Sequence, residues 1–194
     1  MIDGRIGYTG GMNINDHYFR QWRDTHLRIE GDAVASLQLI FLNSWVISGG
    51  KREEPYQFYF NQSTPKTDGK LIQIISDEPG LSFHPIEASY QWALLHANDY
   101  FYIQTPYFVP SKPVLSALKA AGRSGVDVRV KIPAKADTFF MGPANKSFFR
   151  ACLASGVRII MREGEFIHAK TFVTDGYLSR GHCQHGQQEL QPEL

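Results

Sequence analysis

Between residues 86 and 174 helical and extended patterns alternate along the chain. "IEASYQWALLHA" has helical spacing and "DYFYIQT" reads as a strand. "SKPVLSALKAAGRSG" is again helical, "VDVRVKI" alternates as a strand, and "GPANKSFFRACLASG" is a third helix. "VRIIM" and "FIHAKTFVT" follow as strands. Two of the three helices stop at glycine, the residue that most readily takes the left-handed turn after a helix. Strands regularly separated by helices predict an α/β fold, a mostly parallel sheet flanked by helices. Apolar residues make up 43% of the 194, enough for a real core. Phe148, Phe149, Cys152 and Leu153 form a helical stripe that reads as core.

The first third is organised differently. "HLRIEG" (26–31) reads as a short strand, and Asp32 is a candidate N-cap for a helix over "DAVASLQLIFLNSWVIS". Leu37, Ile40, Phe41 and Trp45 recur at helical spacing, which predicts a core helix; without Lys or Arg a membrane-surface helix is disfavoured. Residues 49–70 are polar and rich in Gly and Pro, which predicts a linker. The divisions fall at 1–60, 61–85, 86–179 and 180–194. Twenty basic and 19 acidic residues leave a net charge of +1, no general case for nucleic-acid binding. Cys152 and Cys183 lack metal-ligand spacing and predict neither a disulfide framework nor a metal site. No cofactor is expected. No apolar run approaches the ~20 residues of a transmembrane helix, so a soluble or peripheral chain is expected.

One strand carries chemistry. "FIHAKTFVTD" sets His168, Lys170 and Asp175 into a β-branched, apolar run. On a strand, residues two apart share a face, so His168 and Lys170 point the same way. Asp175, seven residues from His168, needs a turn to join them, and Asp175-Gly176 is a turn signal. A cationic Lys beside an imidazole favours the neutral, nucleophilic form and offers a point charge to phosphate. A carboxylate would hold the tautomer. The trio suits attack on a phosphodiester through a covalent phosphohistidine, without a metal. A satisfied core histidine is the alternative these residues leave open.

"HAKTFVTD" fits the H-x-K-x(4)-D motif and resembles the phospholipase D superfamily. "GYTGGMNI", "WRDTHLRIEG", "IQTPYFVPS" and "EFIHAKT" are similar, in order and spacing, to bacterial cardiolipin synthases. The similarity covers roughly residues 2–179. The resemblance implies a phospholipase D-like sandwich with the motif twice. Residues 1–60 would be the C-terminal part of the first lobe, and 86–179 the second lobe. Asp3, six residues and then Gly10-Gly11-Met12-Asn13 match the tail of the first copy, making Asp3 and Asn13 candidate phosphate contacts. The His and Lys of that copy would precede Met1. Tyr107, in "PYFVP", is a candidate substrate contact. Trp22-Arg23-Asp24 reads as a structural corner with a local ion pair, and His26 as structural. Lys131, Lys135 and Asp137 follow a strand end, where α/β sheets place ligands.

The implied activity is phosphatidyl transfer between two phosphatidylglycerol molecules, giving cardiolipin and glycerol at the cell membrane, with no nucleic acid involved. The alternatives are a single-motif phosphodiesterase or nuclease acting as a homodimer, and a non-functional gene remnant. After Asp175 the motif expects six residues and then "GTANMD", but the chain reads "GYLSRGHCQHGQQELQPEL". Back-translated and read one base later, the codons of "GHCQHGQQEL" permit "GTANMDNRSF". Two missing bases near Arg180 would put residues 180–194 out of frame and leave His182, Cys183 and His185 without a designed role. The sheet would then end at the His-Lys strand, and the chain by itself is expected to be marginally folded and inactive.

Overall fold

The computed structural model describes residues 1–51, 55, 60, 69–77, 82–137 and 141–181. They fall into two compact units, one from Met1–Thr9 with His26–Ile86, the other from Gly10–Thr25 with Glu87–Leu194. Gly10–Thr25 clusters with the later unit, across the divisions at 60 and 85 expected from composition.

In the first unit β1 (Ile6–Gly10) pairs with β3 (His26–Glu30), and α2 (Ala33–Ile47) follows. Gly7 admits Leu37 against the sheet, where a Cβ would overlap its side chain. Asp32 stands at the N-cap position but makes no side-chain capping bond. Only Val34 and Leu42 of α2 are buried; Phe41 is 52% and Ile47 65% exposed, so this helix is not the core helix its spacing predicts. Its apolar residues lie all round the helix rather than on one stripe, so a few contacts cannot cover them. Much of the linker lies outside the described residues; 69–77 has no regular structure.

The second unit holds α1 (Asp16–Gln21), β2 (Trp22–Arg23) and most of α3 (Pro85–Leu95). After them come β4 (Tyr100–Gln104), α4 (Lys112–Arg123) and β5 (Asp127–Pro133). The rest is α5 (Met141–Ser147), α6 (Phe149–Leu153), β6 (Arg158–Arg162), β7 (Phe166–Ile167), β8 (Lys170–Thr174) and β9 (Tyr177–Gly181). The main sheet has the order β6-β5-β4-β8-β9. β4, β5 and β6 are parallel neighbours, whereas β8 runs antiparallel to both β4 and β9. Four strands therefore point one way, and the reversed one begins at Lys170. β9 pairs with β8 from Thr174↔Tyr177 to Lys170↔Gly181, so the sheet does not end at the His-Lys strand. Gly176, at φ 91°, makes the tight turn that such a hairpin needs.

Every second residue of β4 and β5 is buried, the pattern of a sheet with one face in the core. Phe101, Val128, Val130 and Phe172 from that face pack with Leu118 of α4 and Cys152 of α6. Phe101 stacks on Phe172 at 5.0 Å. Ser111 caps α4 by accepting from Val114 N. The tail after Gly181, with His182, Cys183 and His185, lies outside the described residues.

Candidate functional site

The site is built where two short extended segments meet. β2 and β7 pair in parallel, Trp22 opposite Phe166 and Arg23 opposite Ile167. The ladder continues past β7, because Arg23 O accepts from both His168 N (2.8 Å) and Ala169 N (3.2 Å). That grip holds His168 in the irregular step between β7 and β8. His168 and Lys170 are brought together: Nζ lies 3.3 Å from Nε2 and donates to the His168 carbonyl at 3.0 Å. They are 4% and 7% exposed, and a lysine is rarely so buried without a partner or a task.

On the other side of the ring, Nδ1 lies 2.8 Å from Asp24 Oδ2, a carboxylate whose side chain is 5% exposed. An ionised carboxylate only accepts and an ammonium only donates. Nδ1 therefore carries the hydrogen, and Nε2 keeps its lone pair beside Lys170. Trp22, two residues before Asp24 on extended chain, stacks on the imidazole at 4.7 Å and 30°. Tyr18, edge-on, and Phe166, tilted, each stand 6.3 Å from the imidazole. Asn15 caps α1 by accepting from Tyr18 N at 2.8 Å, and the Tyr18 hydroxyl donates to Gly11 O. Gly11 is buried where a Cβ would overlap the Asp24 carboxylate.

Asp175 is not the carboxylate at the imidazole. It lies beyond the far end of β8 and accepts from Asn98 N (2.5 Å), Tyr100 N (3.0 Å) and Asp99 N (3.2 Å). The expected turn forms, but it ties the β8–β9 hairpin to the start of β4. The bonds from Asn98 and Tyr100 hold its carboxyl down to about 2. A depressed carboxyl stabilises the fold above its unfolded value of 3.8, and that contribution is lost as pH falls through about 2. Asp175→Ala should lower the melting temperature by several degrees at pH 7, and the gap from wild type should close as pH approaches 2. A gap unchanged at pH 2 in a series of thermal melts would refute this role.

Asp3 stands exposed in the turn closed by the Ile2–Ile6 bridge, at φ 51°, and Asn13 is exposed in the loop ahead of α1. Tyr107 donates its hydroxyl to Asp137 Oδ2 at 2.5 Å. Burial and that carboxylate raise its ionisation well above the usual tyrosine range. Tyr107 and Lys170 line one cleft. Arg23 pairs with Glu165 at 3.6 Å rather than with Asp24, which corrects the local ion pair expected in Trp22-Arg23-Asp24. Asp24 and Trp22 are the residues the sequence reading missed. Their spacing held the signal, since an aromatic and a carboxylate two apart on extended chain face the same way.

A family model described as "Cardiolipin synthase, PLD-like domain" matches residues 92–181. Cardiolipin synthase 1 of Staphylococcus aureus (strain COL) is 40% identical over 184 residues, 90% of this chain and 37% of that protein. Cardiolipin synthase of Listeria monocytogenes serotype 4a (strain HCC23) is 36% identical over 185 residues, 92% of this chain and 38% of that protein. The chain thus spans well under half the length of these relatives. In fold it is similar to phosphatidylserine synthase of Haemophilus influenzae Rd KW20, with a TM-score of 0.54 over 89% of this chain and 50% of that one, at 16% identity.

Proposed function

From a chain that belongs to the cardiolipin synthases of the phospholipase D superfamily, we propose that residues 1–194 supply one histidine–lysine half of a phosphatidyltransferase centre. His168 is the nucleophile or its general-acid counterpart, Lys170 the phosphate contact, and Asp24 the group that holds the ring. As nucleophile, Nε2 forms a P–N bond to the phosphorus of phosphatidylglycerol while the P–O bond to glycerol breaks. The leaving oxygen takes a proton from a second histidine, and a second phosphatidylglycerol hydroxyl, giving its proton to that now neutral histidine, then displaces His168 to give cardiolipin. Residues 1–194 contain a single H-x-K-x(4)-D, so the second histidine is not among them. The cycle needs it from elsewhere, and this chain alone should not complete a turnover. Lys170 neutralises charge that grows on the phosphoryl oxygens. The substrate places the reaction at a lipid surface; no helix among the described residues is long and apolar enough to cross a membrane.

The observation that carries the reading is the buried Asp24–His168–Lys170 series, with each ring nitrogen committed by its neighbour. The test uses bis(p-nitrophenyl) phosphate, whose nitrophenolate leaves without needing a proton. The expected result is a burst approaching one nitrophenolate per chain and an acid-labile, alkali-stable adduct on the peptide bearing His168. No adduct would remove His168 from the nucleophile's role, and an unchanged adduct in His168→Asn would overturn the proposal.

A further inference from the structure

The cleft that Lys170 lines is bounded by Ile103 of β4, the 105–111 loop, and Val114 and Leu118 of α4. Its volume is about 60 Å³. At ~15 Å³ for each water-sized site, that is room for about four small groups. Its walls are set before any ligand arrives. Thr105 N donates to Lys131 O at 3.1 Å, and Phe108 N donates to Asn145 Oδ1 at 2.7 Å. Asn145 is itself buried, and Pro106 is fully buried. An irregular loop tied at so many points is a preformed wall.

The polar groups of the cleft are largely spoken for. The Thr105 hydroxyl donates to Tyr107 O (3.0 Å) and accepts from Tyr107 N (3.3 Å). The Tyr107 hydroxyl donates to Asp137, and Ser111 caps α4. A glycerol head-group here would bury hydroxyls with few partners, which costs more than it gains. Hydrocarbon meets the half-buried Val109, Pro110 and Val114 without that cost. The Lys170 ammonium also lines the cleft, beside the nitrogen expected to attack.

Phosphoryl transfer adds a constraint. The attacking and leaving atoms lie roughly in line through phosphorus, so the ester that is kept projects to the side. We propose that this cleft takes the kept, glyceride end of a phosphatidyl donor, its ester and first methylenes. The inference rests on the phosphatidyltransfer reading above and adds where the donor's glyceride end binds.

The test is equilibrium binding to the 194-residue chain of two soluble probes, with inorganic phosphate as competitor. One is dihexanoyl phosphatidylglycerol below its micelle concentration, the other its deacylated counterpart, glycerophosphoglycerol. The acylated probe should bind about tenfold tighter. Val114→Trp, which fills the cleft, should reduce that preference to below about twofold and leave glycerophosphoglycerol binding unchanged. A diazirine on the acyl chain should label residues 105–118 in the unaltered protein, a readout that does not depend on the variant folding. Equal affinities, a preference that survives Val114→Trp, or labelling elsewhere would overturn the cleft's role while phosphate-competitive binding left the phosphatidyltransfer reading standing. Failure of both probes to bind in competition with phosphate would overturn both.

Discussion

His168→Ala should abolish the nitrophenolate burst. With residues 1–181 transplanted into a full-length cardiolipin synthase in place of the matching segment, it should lower cardiolipin formation by at least ~10⁴-fold. No neighbour can substitute. The ring is 4% exposed and held by Asp24 on one nitrogen and Lys170 on the other, so the alanine leaves two buried charges facing a gap. Lys170→Arg should cost on the order of 10²-fold, because a planar fork does not replace a compact ammonium in so closed a place. His26→Ala is the control. That ring is exposed, 6.2 Å from Tyr8, and its loss should leave most activity. Near-normal cardiolipin output from the His168 variant in a lipid assay would end the assignment.

Gly11→Ala should match Asp24→Asn, each lowering kcat by about 10²–10⁴-fold in the same transplanted enzyme with KM little changed. Asp24→Asn keeps the shape but offers the ring a neutral amide, which can pair with the wrong tautomer. Gly11→Ala leaves Asp24 in the sequence but puts a methyl group where its carboxylate lies. Two substitutions 13 positions apart should therefore share one pH–rate profile, distinct from that of the parent. A merely structural role for Gly11 would lower the melting temperature and leave the profile of the surviving enzyme unaltered. Wild-type kcat in either variant would remove Asp24 from the mechanism.

The helix–strand alternation after residue 85 is local information, and it could be read. β4 and α4 fall inside "DYFYIQT" and "SKPVLSALKAAGRSG", and β5 runs one residue past "VDVRVKI" to Pro133, with Ser111 at the cap and Gly125 at φ 93°. The adjacency of His168 and Lys170 was readable for the same reason, since two residues on extended chain share a face. Asp24 was not, because its partner stands 144 positions away and chain entry between β2 and β7 leaves no periodic trace. Asp175 was misread because a motif states which residues occur together, not which of them touch. Three backbone N–H groups are a sufficient reason for a carboxylate there. The exposure of α2 was misread because apolar spacing reports what could be buried, whereas the neighbours decide what is.

The double grip of Arg23 O on the amides of His168 and Ala169 bears on how such a protein can be inherited in pieces. Segments 22–24 and 166–170 are one structural unit written in two distant stretches of gene. A recombination crossover anywhere between codons 25 and 165 keeps every reading frame and every motif letter intact, yet gives His168 another parent's carboxylate, indole and ladder strand. Chimeras joined before residue 10 should therefore tolerate divergent parents far better than chimeras joined in that interval, whatever their overall identity.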